Sequence, residues 1–280
     1  QRRSTASNLR VWGKHLKSER AFYLSDVHVP HEHGESLAWN ISLIEKWQPK
    51  HLIFGGDLID ANAASRWPNE YEHTLEDEYE RGNKVLRDLR MAAPRGCNLV
   101  WIFGNHEDNV GRVNRVPKDM RSLVAIKKHV PEYERWKHIP YTRHHTKGAY
   151  HVGQVYFIHG HETTEARLDE QAIKMANYEP FSLTVSGHTH RPTLNVKQIM
   201  LRKFGLPNWR ADAGCQMKFD SAEYMERLDM TQWGHACVLT ESVPLKSPRK
   251  SREWNAEIKV KELAGDTDVV LWRSNLEGAG

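Results

Sequence analysis

Leu99-Val100-Trp101-Ile102-Phe103-Gly104-Asn105-His106-Glu107 reads as a buried strand that runs directly into a turn carrying an amide, an imidazole and a carboxylate. An unbroken apolar run of this kind suits a strand covered on both faces. Four other strand-like runs end in the same way. Phe22-Tyr23-Leu24 leads to Asp26-Val27-His28, Leu52-Ile53-Phe54 to Gly56-Asp57-Leu58-Ile59-Asp60, Tyr156-Phe157-Ile158 to His159, and Leu183-Thr184-Val185 to Gly187-His188-Thr189-His190. Strands that all finish in polar donors are expected to point at one place.

Helix signals separate the first of these runs. After the loop with Pro30, His31 and His33, the spacing of Leu37, Ile41 and Ile44 suits a helix whose apolar stripe covers a sheet, closed by Pro49. Thr74 can cap a second helix that runs to about Met91, with Glu76, Asp77 and Glu78 at its positive end and Leu75, Tyr79, Leu86 and Leu89 on its buried side. The βαβαβ order predicts parallel strands with both faces covered. Ligands of such sheets bind beyond the carboxyl ends of the strands, where the polar clusters fall.

Residues 108–147 interrupt the alternation with a basic, His-rich insertion expected to form a helical cap near the site. Tyr150 to Tyr156 reads as two strands turning at Gly153, and Leu168, Ala172 and Met175 mark another helix. Past Gly187, Thr193 to Leu201, Trp209 to Ala213, His235 to Leu239 and the alternating Trp254, Ala256, Ile258 and Val260 read as a second sheet with one wet face. Residues 1–19 are expected to be an N-terminal extension, and 20–280 a single domain with decorations.

Bulk properties narrow the class. A chain that is 39% hydrophobic and 27% charged is ordinary for a soluble globular protein. No apolar run approaches the ~18 residues of a membrane span, so no membrane partner is expected and a cytoplasmic location is the default. Cys97, Cys215 and Cys237 are too few and too scattered for a disulfide framework or a thiolate zinc site, and read as buried thiols. The net charge of +4 favours an anionic partner without identifying nucleic acid by itself. Most tryptophans read as core, with Trp67 a candidate for lining a substrate groove. Nothing in the sequence sets an oligomeric state.

The clusters supply carboxylate, imidazole and amide donors without a thiolate. That set suits Mn, Fe, Zn, Co or Ni, with Mn preferred, and is too nitrogen-rich for a dedicated Ca or Mg cage. The ligand number fits two divalent ions. A two-metal hydrolytic site needs a bridging carboxylate, and Asp57, in a Gly-Gly turn that lets backbone approach closely, is the natural bridge. In Asp26-Val27-His28 and His188-Thr189-His190 the end groups of an extended tripeptide point to the same side.

The order Asp-x-His, Gly-Asp-x-x-Asp, Gly-Asn-His-Glu, His, Gly-His-x-His, spanning residues 26–190, resembles the calcineurin-like metallophosphoesterase superfamily. The resemblance implies an α/β fold, a four-layer α/β/β/α sandwich with mixed sheets and helices on the outer faces. It implies Asp26, His28, Asp57 and His190 as ligands of one metal, and Asp57, Asn105, His159 and His188 as ligands of the other. His106 would be the general acid, oriented by Asp60, and a metal-bridging hydroxide would attack phosphorus in line. His161 follows His159 closely enough to compete for its place. Glu107 and Asp108 either support His106 and the ligands or cap the following helix. Arg112 and Arg115 follow the catalytic turn and suit phosphate geometry, so they are candidate substrate-binding residues. His31, His33, His144, His145 and His151 read as solvated loop residues.

Departures from the family pattern bear on the substrate. Phosphoprotein phosphatases continue Gly-Asp-x-x-Asp with Arg-Gly, whereas Ala61-Asn62 follows Asp60, which argues against a protein substrate. His159-Gly160-His161 looks more like the phosphodiesterase and prokaryotic branches, and the Arg-bearing stretch after Gly-Asn-His-Glu-Asp resembles stand-alone bacterial and phage-encoded members. The expected function is a metal-dependent phosphodiesterase acting on a nucleotide or nucleic-acid-type substrate, with a nuclease among the candidates. A phosphomonoesterase is the alternative, followed by a catalytically silent binding scaffold, whose sign would be lost ligands.

Overall fold

Side chains of β1 (Glu19–Leu24), β2 (His51–Phe54) and β3 (Asn98–Ile102) alternate between two hydrophobic cores. Phe22, Leu24, Leu52, Phe54 and Trp101 enter one, while Ala21, Tyr23, Ile53, Val100 and Ile102 enter the other. This period of two, with apolar residues on both faces, is why the strands read as continuous greasy runs. The structure, a computed structural model, describes residues 18–64, 73–112, 118–201, 205–219, 231–243, 253–261 and 269–270.

The remaining strands are β4 (Lys137–Ile139), β5 (Tyr150–Val152), β6 (Val155–Phe157), β7 (Leu183–Ser186), β8 (Lys197–Leu201), β9 (Leu206–Asp212), β10 (His235–Ser242), β11 (Trp254–Lys261) and β12 (Val269–Val270). They form a seven-stranded sheet in the order β12-β11-β10-β1-β2-β3-β4 and a five-stranded sheet in the order β5-β6-β7-β9-β8. β1 to β4 are parallel, as are β6, β7 and β9, and antiparallel strands complete both sheets.

Helices α1 (Gly34–Trp47) and α2 (Leu75–Ala92) cover the outer face of the first sheet through Leu43, Ile44, Tyr79, Leu86 and Leu89. The start of α2 is fixed by a capping box, in which Thr74 Oγ1 accepts from Asp77 N–H at 3.2 Å and the Asp77 carboxylate accepts from Thr74 N–H at 2.7 Å. A later helix (Glu165–Met175) packs on the second sheet, where Thr184 Oγ1 donates to Ala172 O at 2.9 Å. The inner faces of the sheets meet, with helices outside both, as expected of the four-layer sandwich.

Both faces of the first sheet are covered, one by helices and the other by the second sheet. Two expectations change. β10 and β11 join the first sheet, not the second: β10 lies antiparallel to β1, and Trp254, Ala256 and Ile258 of β11 enter the core between the sheets. The alternation in β11 does mark one drier and one wetter face, but local sequence carries no record of which sheet a returning strand joins.

Of the stretch expected to be a cap, residues 126–136 pack on the helix side of the first sheet, Lys137–Ile139 adds a strand to its edge, and Tyr141 stands edge-on to His159 with ring centroids 5.8 Å apart. Helices α3 (Asn105–Arg112) and α4 (Ile126–His129) precede β4. Ile126, Val130 and Trp136 enter the helix-side core, Glu132 pairs with Arg90 at 2.7 Å, and β4 extends the sheet beside β3. Arg115, Trp67 and the loop at 244–252 lie outside the described residues, as does the side chain of Arg112. Cys215 and Cys237 are buried, but Cys97 is only half-buried.

Candidate metal centre

Parallel register brings Leu24 level with Phe54 and Phe54 level with Trp101, so the turns after β1, β2 and β3 emerge together. These turns are strained. Asp26 (φ 58°), His28 (φ 48°), Asp57 (φ 51°), His188 (φ 72°) and His190 (φ 60°) all occupy the left-handed region. For residues other than glycine this costs on the order of 1–2 kcal/mol each, and it persists where surroundings impose it, characteristically at functional sites.

Glu107 imposes it at Asp57. Its buried carboxylate accepts from the N–H groups of Gly104 (2.7 Å), Asp57 (3.0 Å) and Leu58 (2.6 Å), and so clamps the β2 and β3 turns together. Asp57 Oδ1 in turn accepts from His106 N–H at 2.9 Å. Across the sheets, the Asp26 carboxylate accepts from His188 N–H at 3.0 and 3.1 Å. The approach is close enough to require glycine: a Cβ on Gly104 would lie 2.0 Å from Asp57 Oδ1, and one on Gly187 would lie 2.3 Å from Asp26 Oδ2.

With the turns fixed, every expected ligand enters one connected cluster. His159 Nδ1 donates to Gly55 O at 2.8 Å, so its Nε2 is the nitrogen that faces inward, 3.1 Å from Asn105 Oδ1 and 3.2 Å from Asp57 Oδ2. His28 Nε2 is buried without a hydrogen-bond partner, 3.7 Å from Asp57 Oδ2 and 3.9 Å from Asp26 Oδ1. His190 Nε2 lies 3.4 Å from Asp26 Oδ1. Donor atoms of Asp26, His28 and His190, of His28, Asp57 and His106, and of Asp57, His159 and His188 lie within 4.8 Å of one another in each group. His161 is outside these groups, with its imidazole 3.8 Å from Glu162.

The sequence matches the model of the calcineurin-like phosphoesterases over residues 20–192. The chain belongs to this family. Its fold is similar to that of Vps29 from Cryptosporidium parvum (11% identity, 89% of this chain and 94% of that one, TM-score 0.47). Similar too are zinc-complexed Vps29 from Entamoeba histolytica (11%, 92% and 99%, 0.46) and a dimetal phosphatase from Danio rerio (10%, 91% and 99%, 0.39). A search of curated proteins finds no match. Identities and scores this low leave function to the residues of the site.

For a calcineurin-like phosphoesterase, the donor set of this chain fits two divalent ions. Lone-pair atoms of Asp57, Asn105, His159 and His28 converge where only a proton or a cation can reconcile them. Burial disfavours the charged carboxylate of Asp57, but His159, His106 and His28 outweigh it and hold the group well below the usual range. Burial likewise disfavours a charged His159, yet Asp57 raises it to about 9, whereas burial and the neighbouring His159 lower His188 to about 4. Metal binding would displace the His159 proton.

His106 stands at the mouth of this cluster. Its side chain is 24% exposed, against 3% for His28 and 1% for His159. Nδ1 contacts the carbonyl oxygen of Asp60, which can only accept, so Nε2 is left facing the centre, 3.9 Å from Asp57 Oδ2. The expected role of Asp60 is therefore divided. Its backbone carbonyl holds His106, while its carboxylate lies closer to His28 Nδ1 (3.3 Å) than to His106 Nδ1 (3.7 Å).

One supporting residue was missed, and two histidines expected to be solvated have structural places. Asp212, buried at the end of β9, accepts from Thr189 Oγ1 at 2.7 Å and from Gly214 N–H at 3.1 Å, and so fixes the residue between the two ligand histidines. Its signal was available, since another greasy strand ends there in an acid before a glycine. His31 is buried and not solvated, and His33 caps α1 by accepting from Ser36 N–H at 3.2 Å.

Proposed function

We propose that the chain is a phosphodiesterase that uses two divalent ions, manganese foremost, to cleave a nucleotide or nucleic-acid-type phosphodiester, with His106 as general acid. The observation that carries this reading is the position of His106: anchored at Nδ1, part-exposed, and facing the buried ligand cluster through Nε2.

Asp26, His28, Asp57 and His190 would hold one ion, and Asp57, Asn105, His159 and His188 the other. When bound, such ions supply Lewis acidity toward phosphoryl oxygens and make water a nucleophile near neutral pH. Asp57 is suited to serve both ions, because its Oδ1 is engaged by His106 N–H while Oδ2 faces His159 and His28. The Asp60 carbonyl keeps one proton on His106 Nδ1, so the imidazolium form is the general acid: it gives its second proton, on Nε2, to the departing oxygen and is left as neutral imidazole. Burial of Asp26, Asp57 and Glu107 keeps bulk water from the carboxylates.

A diester is favoured over a monoester by the motif variants: Ala61-Asn62 after Asp60 argues against a phosphoprotein substrate, and His159-Gly160-His161 resembles the phosphodiesterase branch. The test is a screen of metal-reconstituted protein against an aryl diester, a monoester, cyclic nucleotides and DNA or RNA, beside Asp57→Asn. Diester cleavage that is lost in the variant is expected. Good monoester turnover without cleavage of any diester or nucleic acid would sink the proposal.

A further inference from the structure

On the His190 side of the centre the surface opens into a cavity of about 500 Å³. Thr189 and Arg191, the two neighbours of His190 in the chain, line it, as does the half-buried indole of Trp233. That indole stands edge-on to His190, with ring centroids 4.3 Å apart. Trp233 thus links the cavity to one of the candidate ligand histidines. The volume falls within the ~300–1,000 Å³ typical of small-ligand sites.

The lining has an uneven charge. Arg210 is buried and committed, its guanidinium donating to Asp169 at 2.7 Å and to Glu165 at 2.6 Å. Both carboxylate oxygens of Asp212 are engaged, by Thr189 and by Gly214 N–H. Arg191 is exposed and makes no ion pair among the described residues, so its charge is available to an anion. The lining also holds the aliphatic Leu168, Leu194 and Val260, and an aromatic wall, hydroxyls and one guanidinium without an ion pair among the described residues suit a nucleoside and its phosphate.

We propose that this cavity seats the nucleoside on one side of the scissile phosphodiester, with its base against Trp233 and Arg191 toward phosphate. The inference rests on the diesterase reading above. Two substrates with the same leaving group separate the contributions: the p-nitrophenyl ester of thymidine 5′-phosphate and methyl p-nitrophenyl phosphate. Wild-type protein should prefer the nucleoside ester in kcat/KM. Trp233→Ala should lower that preference about tenfold, mainly through KM, as expected for loss of one base–aromatic stack, and Trp233→Phe should restore most of it.

Arg191→Ala, at an exposed position that folding does not depend on, should lower the preference severalfold even if Trp233→Ala fails to fold. Equilibrium dialysis of thymidine 5′-monophosphate should show weaker binding to the same variants, without any turnover. A wild-type preference near one, or a preference and nucleotide binding unchanged by both substitutions, would overturn the proposal. If the wild type cleaves neither diester, the diesterase reading fails, while dialysis still judges the cavity.

Discussion

At the ends of β1, β2 and β3 the centre receives two carboxylates, an amide and one imidazole, from Asp26, Asp57, Asn105 and His28, whereas the ends of β6 and β7 contribute only imidazoles, from His159, His188 and His190. The two groups are held differently. The first-sheet turns are tied through charge-assisted hydrogen bonds from backbone N–H groups to Glu107 and Asp57. On the second sheet, His159 is fixed by a neutral carbonyl and Thr189 by one side-chain bond to Asp212, and a single backbone N–H, that of His188, bonds a carboxylate, Asp26 of the first sheet. Anions in buried turns need several donors, whereas an imidazole needs a single acceptor to select the nitrogen that faces the centre.

The largest effect is expected at the mouth, where the two groups meet substrate. His106→Ala should lower kcat by about 10²–10⁴-fold on an alkyl diester and by much less on a p-nitrophenyl diester, whose leaving group needs little protonation. Metal content by elemental analysis should stay at the wild-type level. Loss of metal in this variant would make His106 a ligand and merge it with the buried cluster.

Next comes the clamp of the first sheet. Glu107→Gln replaces an acceptor-only carboxylate with a group whose NH₂ faces backbone N–H groups, and should cost ~1.5–3 kcal/mol in urea unfolding and ~10–100-fold in metal affinity. A slope in pH is the third expectation. Burial raises Glu78, whose carboxylate accepts from Ala61 N–H at 2.6 Å, from 4.5 to about 8. The folded chain therefore keeps a proton that the unfolded chain loses. Stability from this group is full below pH 4.5 and is lost as pH rises through about 8. The slope reaches about 1.4 kcal/mol per pH unit at most. Urea unfolding of metal-free Glu78→Gln at pH 5 and pH 8 should show a flatter dependence than wild type.

The smallest effect is expected on the second sheet, where Thr189→Val removes one donor to Asp212, at a cost of about 1 kcal/mol. Losses in metal affinity as large as those of Glu107→Gln would mean that the two sheets hold the centre equally, and would break the comparison.

How much of this was legible follows from distance along the chain. The ligand turns could be read because strand and donor are neighbours in sequence, and the capping box at Thr74 and Asp77 because it spans a single helical turn. The clamp by Glu107 stayed ambiguous between support and helix cap, since two of the N–H groups that donate to it, those of Asp57 and Leu58, lie on a turn some fifty residues earlier. Asp212 was passed over for the same reason, although its strand-end position repeats the pattern of the ligands.

The sequence by itself determined that greasy strands deliver oxygen and nitrogen donors to one end of a sheet, because side-chain period and turn composition are local properties. It also carried the family, through the order of its motifs. Only the tertiary structure decided that β10 and β11 return to the first sheet, that Lys137–Ile139 extends that sheet beyond β3, and that Asp60 serves His106 through its carbonyl and His28 through its carboxylate. Each of those depends on which distant backbone offers an unpaired N–H or C=O, and that is settled only when the sheets pack.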